Sequence, residues 1–385
     1  MTVLAARTRE TVTFHAVELM KQANDLQRAG IDIISLGVGE PDFTAAPQVL
    51  AAMESAAHAG KSGYSSPAGI PQLREAISRH YAEHLNANVD PSRIIVTSGA
   101  SGALILAAMA LVNPGDEVLM PDPCYPANRN FIGAAGGVTK LIPTTAANRF
   151  QLSAADIEKN WGAHTRGVLI ASPGNPTGTS LTRTELDKVL KTVRQKNGFV
   201  IMDEIYLGLS YENERQTALT LDQDVVIINS FSKYFNMTGW RLGWMVVPEH
   251  MVAPIEKMAA SLAICAPTLA QYGAVACFDP ETIAIYEQRR EAFRQRRDFL
   301  VPTLESMNIR VPVKPDGAFY VYADVSAHTN DSAQLSSSWL HEARVAVVPG
   351  IDFGPAHANH MMRFAYTIGL DRLKEAMDRI KTYLG

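Results

Sequence analysis

Lys233 stands just beyond an apolar run in the segment Val225–Trp244, VVIINSFSKYFNMTGWRLGW, with Ser230 and Ser232 before it and Arg241 eight residues after it. A lysine at the mouth of a buried strand, close to another cation, loses part of its hydration. Its charged form is then disfavoured, and the free amine becomes a usable nucleophile toward carbonyl compounds, as Schiff-base chemistry needs. A lone lysine at a strand end is ordinarily a solvated surface charge, so the weight rests on its neighbours in the chain.

Three further segments have the same layout of apolar run followed by a special turn. Ile94–Ala110, IIVTSGASGALILAAMA, runs from a strand through small residues into an apolar helix. Ala100 and Ser101 there sit at a helix N-terminus, whose free N–H groups and positive dipole end suit a phosphate, although tight packing alone also selects small residues. The segment is neither a GxGxxG nor a P-loop pattern. Ile170–Gly178, IASPGNPTG, ends a second run in a turn rich in Pro and Gly that holds the Asn175 side chain. Phe199–Tyr206, FVIMDEIY, places Asp203 at the end of a third run, with Tyr206 three residues on. A carboxylate in that position is costly unless a positive partner meets it, and either a protonated pyridine nitrogen or a structural arginine would serve. Ligands gather at the C-terminal ends of strands in open α/β sheets.

The elements that must position these residues follow from the alternation of the chain. Apolar runs at Ile94–Thr97, Glu117–Met120, Val138–Ile142, Gly167–Ala171, Phe199–Asp203, Val225–Phe231 and Leu242–Val247 are separated by helix-like segments. They predict an α/β fold whose large domain carries a mostly parallel seven-stranded sheet covered by helices. Between them, Leu181–Arg194 has the Thr182 and Glu185 signature of a capped helix. After Pro248 the texture changes. Residues 281–306, rich in Glu, Gln and Arg, predict a long exposed helix, and the remainder predicts a smaller α+β domain with strands at Arg310–Val313, Gly317–Val325, Val345–Val348 and Met361–Tyr366, closed by a helix at Asp371–Tyr383. The expected division is an N-terminal segment 1–45 joining the small domain, a large cofactor-binding domain 46–285 and a small C-terminal domain 286–385.

Composition narrows the function classes. The 385 residues carry 35 Lys+Arg against 39 Asp+Glu, a net charge of −4, which disfavours nucleic acid or an anionic membrane as a partner. Cys124, Cys265 and Cys277 are the only cysteines and none forms a C-x-x-C pair, so neither a disulfide framework nor a thiolate metal site is expected. The most apolar stretch, Ala103–Val112, is about half the length that spans a bilayer. Residues 1–10 lack a signal-peptide core, and a cytoplasmic location is expected.

Taken together and in order, SGAS, SPGNPTG, DEIY and SFSKYFNMTGWRLGW resemble fold-type I pyridoxal-phosphate enzymes, more narrowly the class I/II aminotransferases that include bacterial aspartate and alanine aminotransferases. The likeness covers nearly the whole chain, from Gly37-Val38-Gly39-Glu40-Pro41-Asp42-Phe43 to the Arg363 segment. The resemblance implies pyridoxal 5'-phosphate as cofactor and no metal. It implies Lys233 as Schiff-base lysine and proton shuttle, Asp203 as partner of the pyridine nitrogen, and Asn175 and Tyr206 as donors to the ring oxygen. Tyr125 matches the aromatic residue stacked on the ring, while Ala100, Ser101, Ser230, Ser232 and Arg241 match the phosphate contacts. Arg363 matches the arginine that grips the substrate α-carboxylate as a fork, with the Gly37–Val38 backbone and Asn175 beside it. Tyr64 matches a tyrosine lent to the neighbouring subunit, so a homodimer is implied.

The implied reaction is ping-pong transfer of an amino group between an L-amino acid and a 2-oxo acid, 2-oxoglutarate or pyruvate by family habit. A carbon–sulfur β-lyase of the same fold is the alternative, since it would use the same Lys233, Asp203 and Arg363. A DNA-binding regulator of this fold is disfavoured by the charge and by motifs that begin by residue 37. Arg129 and Lys140 are the basic residues downstream of Tyr125 that could hold a distal carboxylate. Phe14, Tyr64, Tyr125 and Phe353 could instead line an apolar pocket.

Overall fold

The computed structural model describes residues 2–11 and 14–385; within the expected N-terminal segment 1–45, residues 1, 12 and 13 lie outside the described part. The strands in chain order are β1 (Ile34–Ser35), β2 (Ile94–Thr97), β3 (Glu117–Asp122), β4 (Val138–Pro143), β5 (Thr165–Ala171), β6 (Phe199–Asp203), β7 (Val226–Ser230), β8 (Gly243–Val246), β9 (Tyr320–Asp324), β10 (Val345–Ala346), β11 (Val348–Pro349) and β12 (Met361–Ala365).

Seven of these form one sheet in the order β2-β8-β7-β6-β5-β3-β4. Its central strands are apolar on both sides because both faces are covered, which is why they read as continuous runs of Val, Ile and Leu rather than as alternation. On one face lies the helix Gly99–Leu111, apolar nearly all round because sheet and outer helices enclose it. On the other lies the helix Arg183–Gln195, which shows the predicted capping box: Thr182 takes the N–H of Glu185, and Glu185 takes the N–H of Thr182 at 2.8 Å.

All pairs are parallel except those of β8, which runs against both β7 and β2. That reversal matters for the site. The first residue of β8, Gly243, pairs with Ser230 and Thr97, the last residues of β7 and β2. One antiparallel strand thereby brings Arg241, just ahead of Gly243, to the edge where the parallel strands end.

Beyond the large sheet, β11, β12 and β9 form an antiparallel sheet, and β1 pairs in parallel with β10. The N-terminal segment is thus stitched to the C-terminal part of the chain, and Leu36 continues the ladder by donating to Ala346 O at 2.8 Å.

Three expectations need correction here. The expected strand Arg310–Val313 reduces to a single bridge from Arg310 to Asp324. The expected strand Val345–Val348 is two short strands that serve different partners, because the chain leaves β1 after Ala346 and joins β12 at Val348. The helix Pro280–Ser306 is not simply exposed. Tyr286, Phe293, Leu300 and Leu304 pack inward, and Arg297 is buried with its guanidinium on Glu212 at 2.7 Å and on the carbonyl of Pro315 at 2.9 Å. A high charge count hides a buried face when arginine stems are part of it.

Gly243 has no room for a side chain. A Cβ there would lie 2.7 Å from the carbonyl carbon of Gly99 and 2.8 Å from the nitrogen of Ala100, both backbone atoms that cannot step aside. Gly243→Ala is therefore expected to lower stability by about 1–3 kcal/mol, the usual size of overpacking. A thermal melt checks it, and an unchanged Tm would contradict the close approach of β8 to the helix start.

Candidate active site

The strand ends converge on a cavity of about 600 Å³. Ala100 and Ser101 come from the helix after β2, Tyr125 from the turn after β3, Asn175 from the turn after β5, Asp203 and Tyr206 from the end of β6, and Ser230, Ser232 and Lys233 from the end of β7. Arg241 precedes β8, Arg363 lies on β12, and Val38 follows β1; all of these line the cavity. Of the residues matched to cofactor or substrate roles, Tyr64 stands apart: it does not line the cavity of its own chain and is 83 % exposed.

Lys233 is half-buried in this wall. Its Nζ donates to the carbonyl of Gly39 at 2.5 Å. Burial, aided by the charges of Arg363 and Arg241, lowers its pKa to about 8, so about a tenth of the amine is free at pH 7, far more than for a solvated lysine. Asp203 is buried, and the N–H of Ile205 reaches it at 3.0 Å. Desolvation raises its pKa to about 6 against the pull of that N–H and of Lys233. The next residue, Glu204, is buried as well, takes the N–H of Ala218 at 2.8 Å and the hydroxyl of Thr217 at 3.1 Å, and is pushed by burial to about 8. It is therefore mostly protonated at pH 7, which limits the charge it places beside Asp203.

Two anion positions are built into the same cavity. The helix Gly99–Leu111 has no side-chain cap on its first N–H groups, and Arg241 is held beside them by its bond to Thr238 O at 2.9 Å. Ser230 and Ser232 are hydrogen-bonded to each other at 3.0 Å close by. At the other end, Arg363 donates to Gly37 O at 2.7 Å and to Asn175 Oδ1 at 2.9 Å, while its buried Nε has no partner in the protein. An orphaned guanidinium N–H in a buried cavity is an open position for a carboxylate. Because Asn175 uses its oxygen for Arg363, its amide N–H groups are the part left to face the cavity.

Much of the remaining wall is apolar, with Phe14, Val17, Met20, Val38, Leu104 and Phe353 lining it alongside the carboxylates of Glu40 and Asp352. Phe14 meets the Tyr125 ring edge-on at 6.2 Å. Of the four aromatics expected for such a pocket, Tyr64 is the one that does not contribute. Neither candidate for a distal-carboxylate cation reaches the cavity. Arg129 donates to Asp352 O at 2.7 Å, and Lys140 donates to Asn160 O at 2.8 Å. Among the wall residues that sequence reading missed, two make telling hydrogen bonds. Tyr320 pairs its hydroxyl with that of Tyr206 at 2.9 Å, and Asp352 takes the N–H groups of His15 and Ala16 at 2.6 and 2.8 Å, fixing the start of the helix His15–Arg28 over the opening. The GAFYVYAD run could have flagged Tyr320 as a buried polar tip, but nothing local points it at Tyr206.

Comparison with known proteins agrees with this arrangement. A family model described as "Aminotransferase class I and II" matches residues 31–380. The valine–pyruvate aminotransferase of Mycobacterium tuberculosis is 37% identical, with 96% of each chain covered. Among solved structures, an aminotransferase from Mycobacterium tuberculosis superposes with a TM-score of 0.96 at 36% identity, covering 100% of this chain and 99% of that one. Aspartate aminotransferase from Thermus thermophilus with maleate superposes at 0.94 and 31% identity, covering 99% and 100%.

The burial of Asp203 has a pH signature in the cofactor-free protein. The native state keeps its proton up to about pH 6, whereas the unfolded chain releases it near 3.8. Native protein then binds more protons than unfolded protein between those values, so stability falls as pH rises through this window. Relative to Asp203→Asn, the wild type is expected to lose on the order of 3 kcal/mol from pH 3.5 to 6.5. Denaturant melts of both proteins measure the difference, and a constant difference would contradict a raised pKa.

Proposed function

The chain belongs to the class I and II aminotransferase family, and on that premise we propose that it moves the amino group of an apolar L-amino acid to a small 2-oxo acid such as pyruvate. It is a transaminase, and class I and II aminotransferases of this fold use pyridoxal 5'-phosphate. The residues present fit that cofactor. Asp203 is a buried carboxylate answered only by neutral N–H and the nearby Lys233, which suits a cationic ring nitrogen. The uncapped helix start, the Ser230–Ser232 pair and Arg241 suit a phosphate. When bound, the cofactor supplies an electron-withdrawing ring that stabilises negative charge at the substrate α-carbon.

In this reading Asp203 would keep the ring nitrogen protonated, Asn175 and Tyr206 would donate to the ring oxygen, and Tyr125 would hold the ring. The Lys233 amine, neutral over part of its population at pH 7 and anchored at Gly39, takes the α-proton at Nζ and returns it. Arg363 holds the α-carboxylate with the N–H edge left open by Gly37 and Asn175. Val38 is fixed beside it through its carbonyl, which accepts the Thr367 hydroxyl at 3.1 Å. Tyr64, exposed and away from its own cavity, supports a homodimer in which it serves the partner's site.

The observation that carries the choice of substrate is the charge balance of the side-chain wall. Lys233, Arg241 and Arg363 are the cations lining the cavity among the described residues, and all three have roles already. Besides Asp203, the other charged groups lining the cavity are the carboxylates Glu40 and Asp352, and Phe14, Val17, Met20 and Phe353 line it too. A distal carboxylate there meets repulsion and apolar surface, whereas a branched or linear apolar side chain buries its methyl groups. The name of the Mycobacterium tuberculosis relative, which pairs valine with pyruvate, supports the same reading.

Single-turnover conversion of the loaded enzyme, followed by visible absorption with one amino acid at a time, tests it. L-Valine or another apolar amino acid is expected to react with a kcat/KM at least about tenfold above L-aspartate. Aspartate as the fastest donor would contradict the proposal. Ammonia and oxo acid accumulating over many turnovers without an acceptor would mark β-lyase chemistry instead.

A further inference from the structure

Tyr320 joins the two halves of this site. It opens β9, where the register sets it against Ala365 and sets Tyr322 against Arg363. Tyr320 and Arg363 therefore project from the same face as diagonal neighbours. The Arg363 guanidinium carbon lies 4.4 Å from the Tyr320 ring centroid and 4.9 Å from that of Phe353, so the guanidinium makes a cation–π contact with each ring. At its other end, Tyr320 meets the Tyr206 hydroxyl at 2.9 Å. Its position is enforced from above, because a Cβ on Gly39 would lie 2.0 Å from the Tyr320 oxygen. Only glycine lets the backbone that holds Lys233 pass over this hydroxyl.

The direction of the hydroxyl pair follows from a proton count. Tyr206 has one O–H proton. If that proton points to the cofactor ring oxygen, as the reading above has it, the Tyr206 oxygen is left as the acceptor and Tyr320 must be the donor. We propose that Tyr320 is a positioning residue: its hydroxyl donates to Tyr206 and turns the Tyr206 proton toward the cofactor, while its ring holds Arg363 flat for the substrate carboxylate. This inference rests on the roles proposed for Tyr206 and Arg363. A donor on Tyr206 also strengthens Tyr206 as a donor in turn, since linked hydroxyls polarise one another.

The two functions of Tyr320 separate by substitution in the holoenzyme. Tyr320→Phe keeps the ring under Arg363 and deletes the hydroxyl. Loss of one neutral hydrogen bond in the chain weakens the support of the ring oxygen. The pH midpoint of the visible absorption change of the loaded enzyme is expected to rise by about half a unit to one unit. The KM for the amino donor is expected to change by less than about twofold, because the stack remains. Tyr320→Leu removes both and is expected to raise the KM about tenfold as well. In a Tyr206→Phe background, adding Tyr320→Phe is expected to move the midpoint no further. A wild-type midpoint in Tyr320→Phe, with a normal shift in Tyr206→Phe, overturns the role of Tyr320 alone. A midpoint unmoved in Tyr206→Phe overturns the reading of Tyr206 and this proposal with it. An equal, additive shift from Tyr320→Phe in the double variant also overturns it, since the effect would then bypass Tyr206.

Discussion

Lys233, Arg241 and Arg363 share one cavity with the carboxylates of Asp203, Glu40 and Asp352, yet the hydrogen bonds that hold the three cations and Asp203 are to neutral groups. Lys233 has the Gly39 carbonyl, Arg241 the Thr238 carbonyl, Arg363 the Asn175 amide oxygen and the Gly37 carbonyl, and Asp203 the Ile205 N–H. Charges taken from water and left without counter-charges are expensive, and a fold keeps them only where something else supplies the balance. A ligand carrying a phosphate, a carboxylate and a cationic ring nitrogen balances all of these at once. The depressed pKa of Lys233 and the raised pKa of Asp203 are two expressions of the same imbalance.

The frame serves this charge arrangement. Parallel strands send their C-terminal ends to one edge, and the reversed β8 adds Arg241 to that edge without a further crossover. The pairing of β1 with β10, and of β11 and β9 with β12, holds Gly37, Val38 and Arg363 against the strand ends of the large sheet. Asp352 ties the start of the helix His15–Arg28 across the opening, so the apolar wall is made by a segment far away in sequence.

Much of this was legible in the amino-acid order. Strands buried on both faces announce themselves as unbroken apolar runs, and Thr182 with Glu185 marks a helix start wherever it occurs. The residues at the strand ends were legible too, because each follows a run directly. What stayed hidden depends on packing between distant segments. Nothing near Tyr320 in sequence says that its hydroxyl meets Tyr206, and nothing near Arg129 says that its guanidinium is spent on the carbonyl of Asp352. Val345–Val348 reads as one strand because its apolar pattern is continuous, yet its two ends answer to different sheets. The buried face of Pro280–Ser306 was masked by arginines whose stems lie inside.

The most direct test of the account is chemical mapping of the cofactor's attachment. Protein loaded with pyridoxal 5'-phosphate, reduced with borohydride and digested, is predicted to carry the cofactor's mass on one peptide, at Lys233, with Lys233→Ala protein left unlabelled. Stoichiometric label on another lysine, or full labelling of Lys233→Ala, would contradict the claim that the cavity at the strand ends is the site of chemistry.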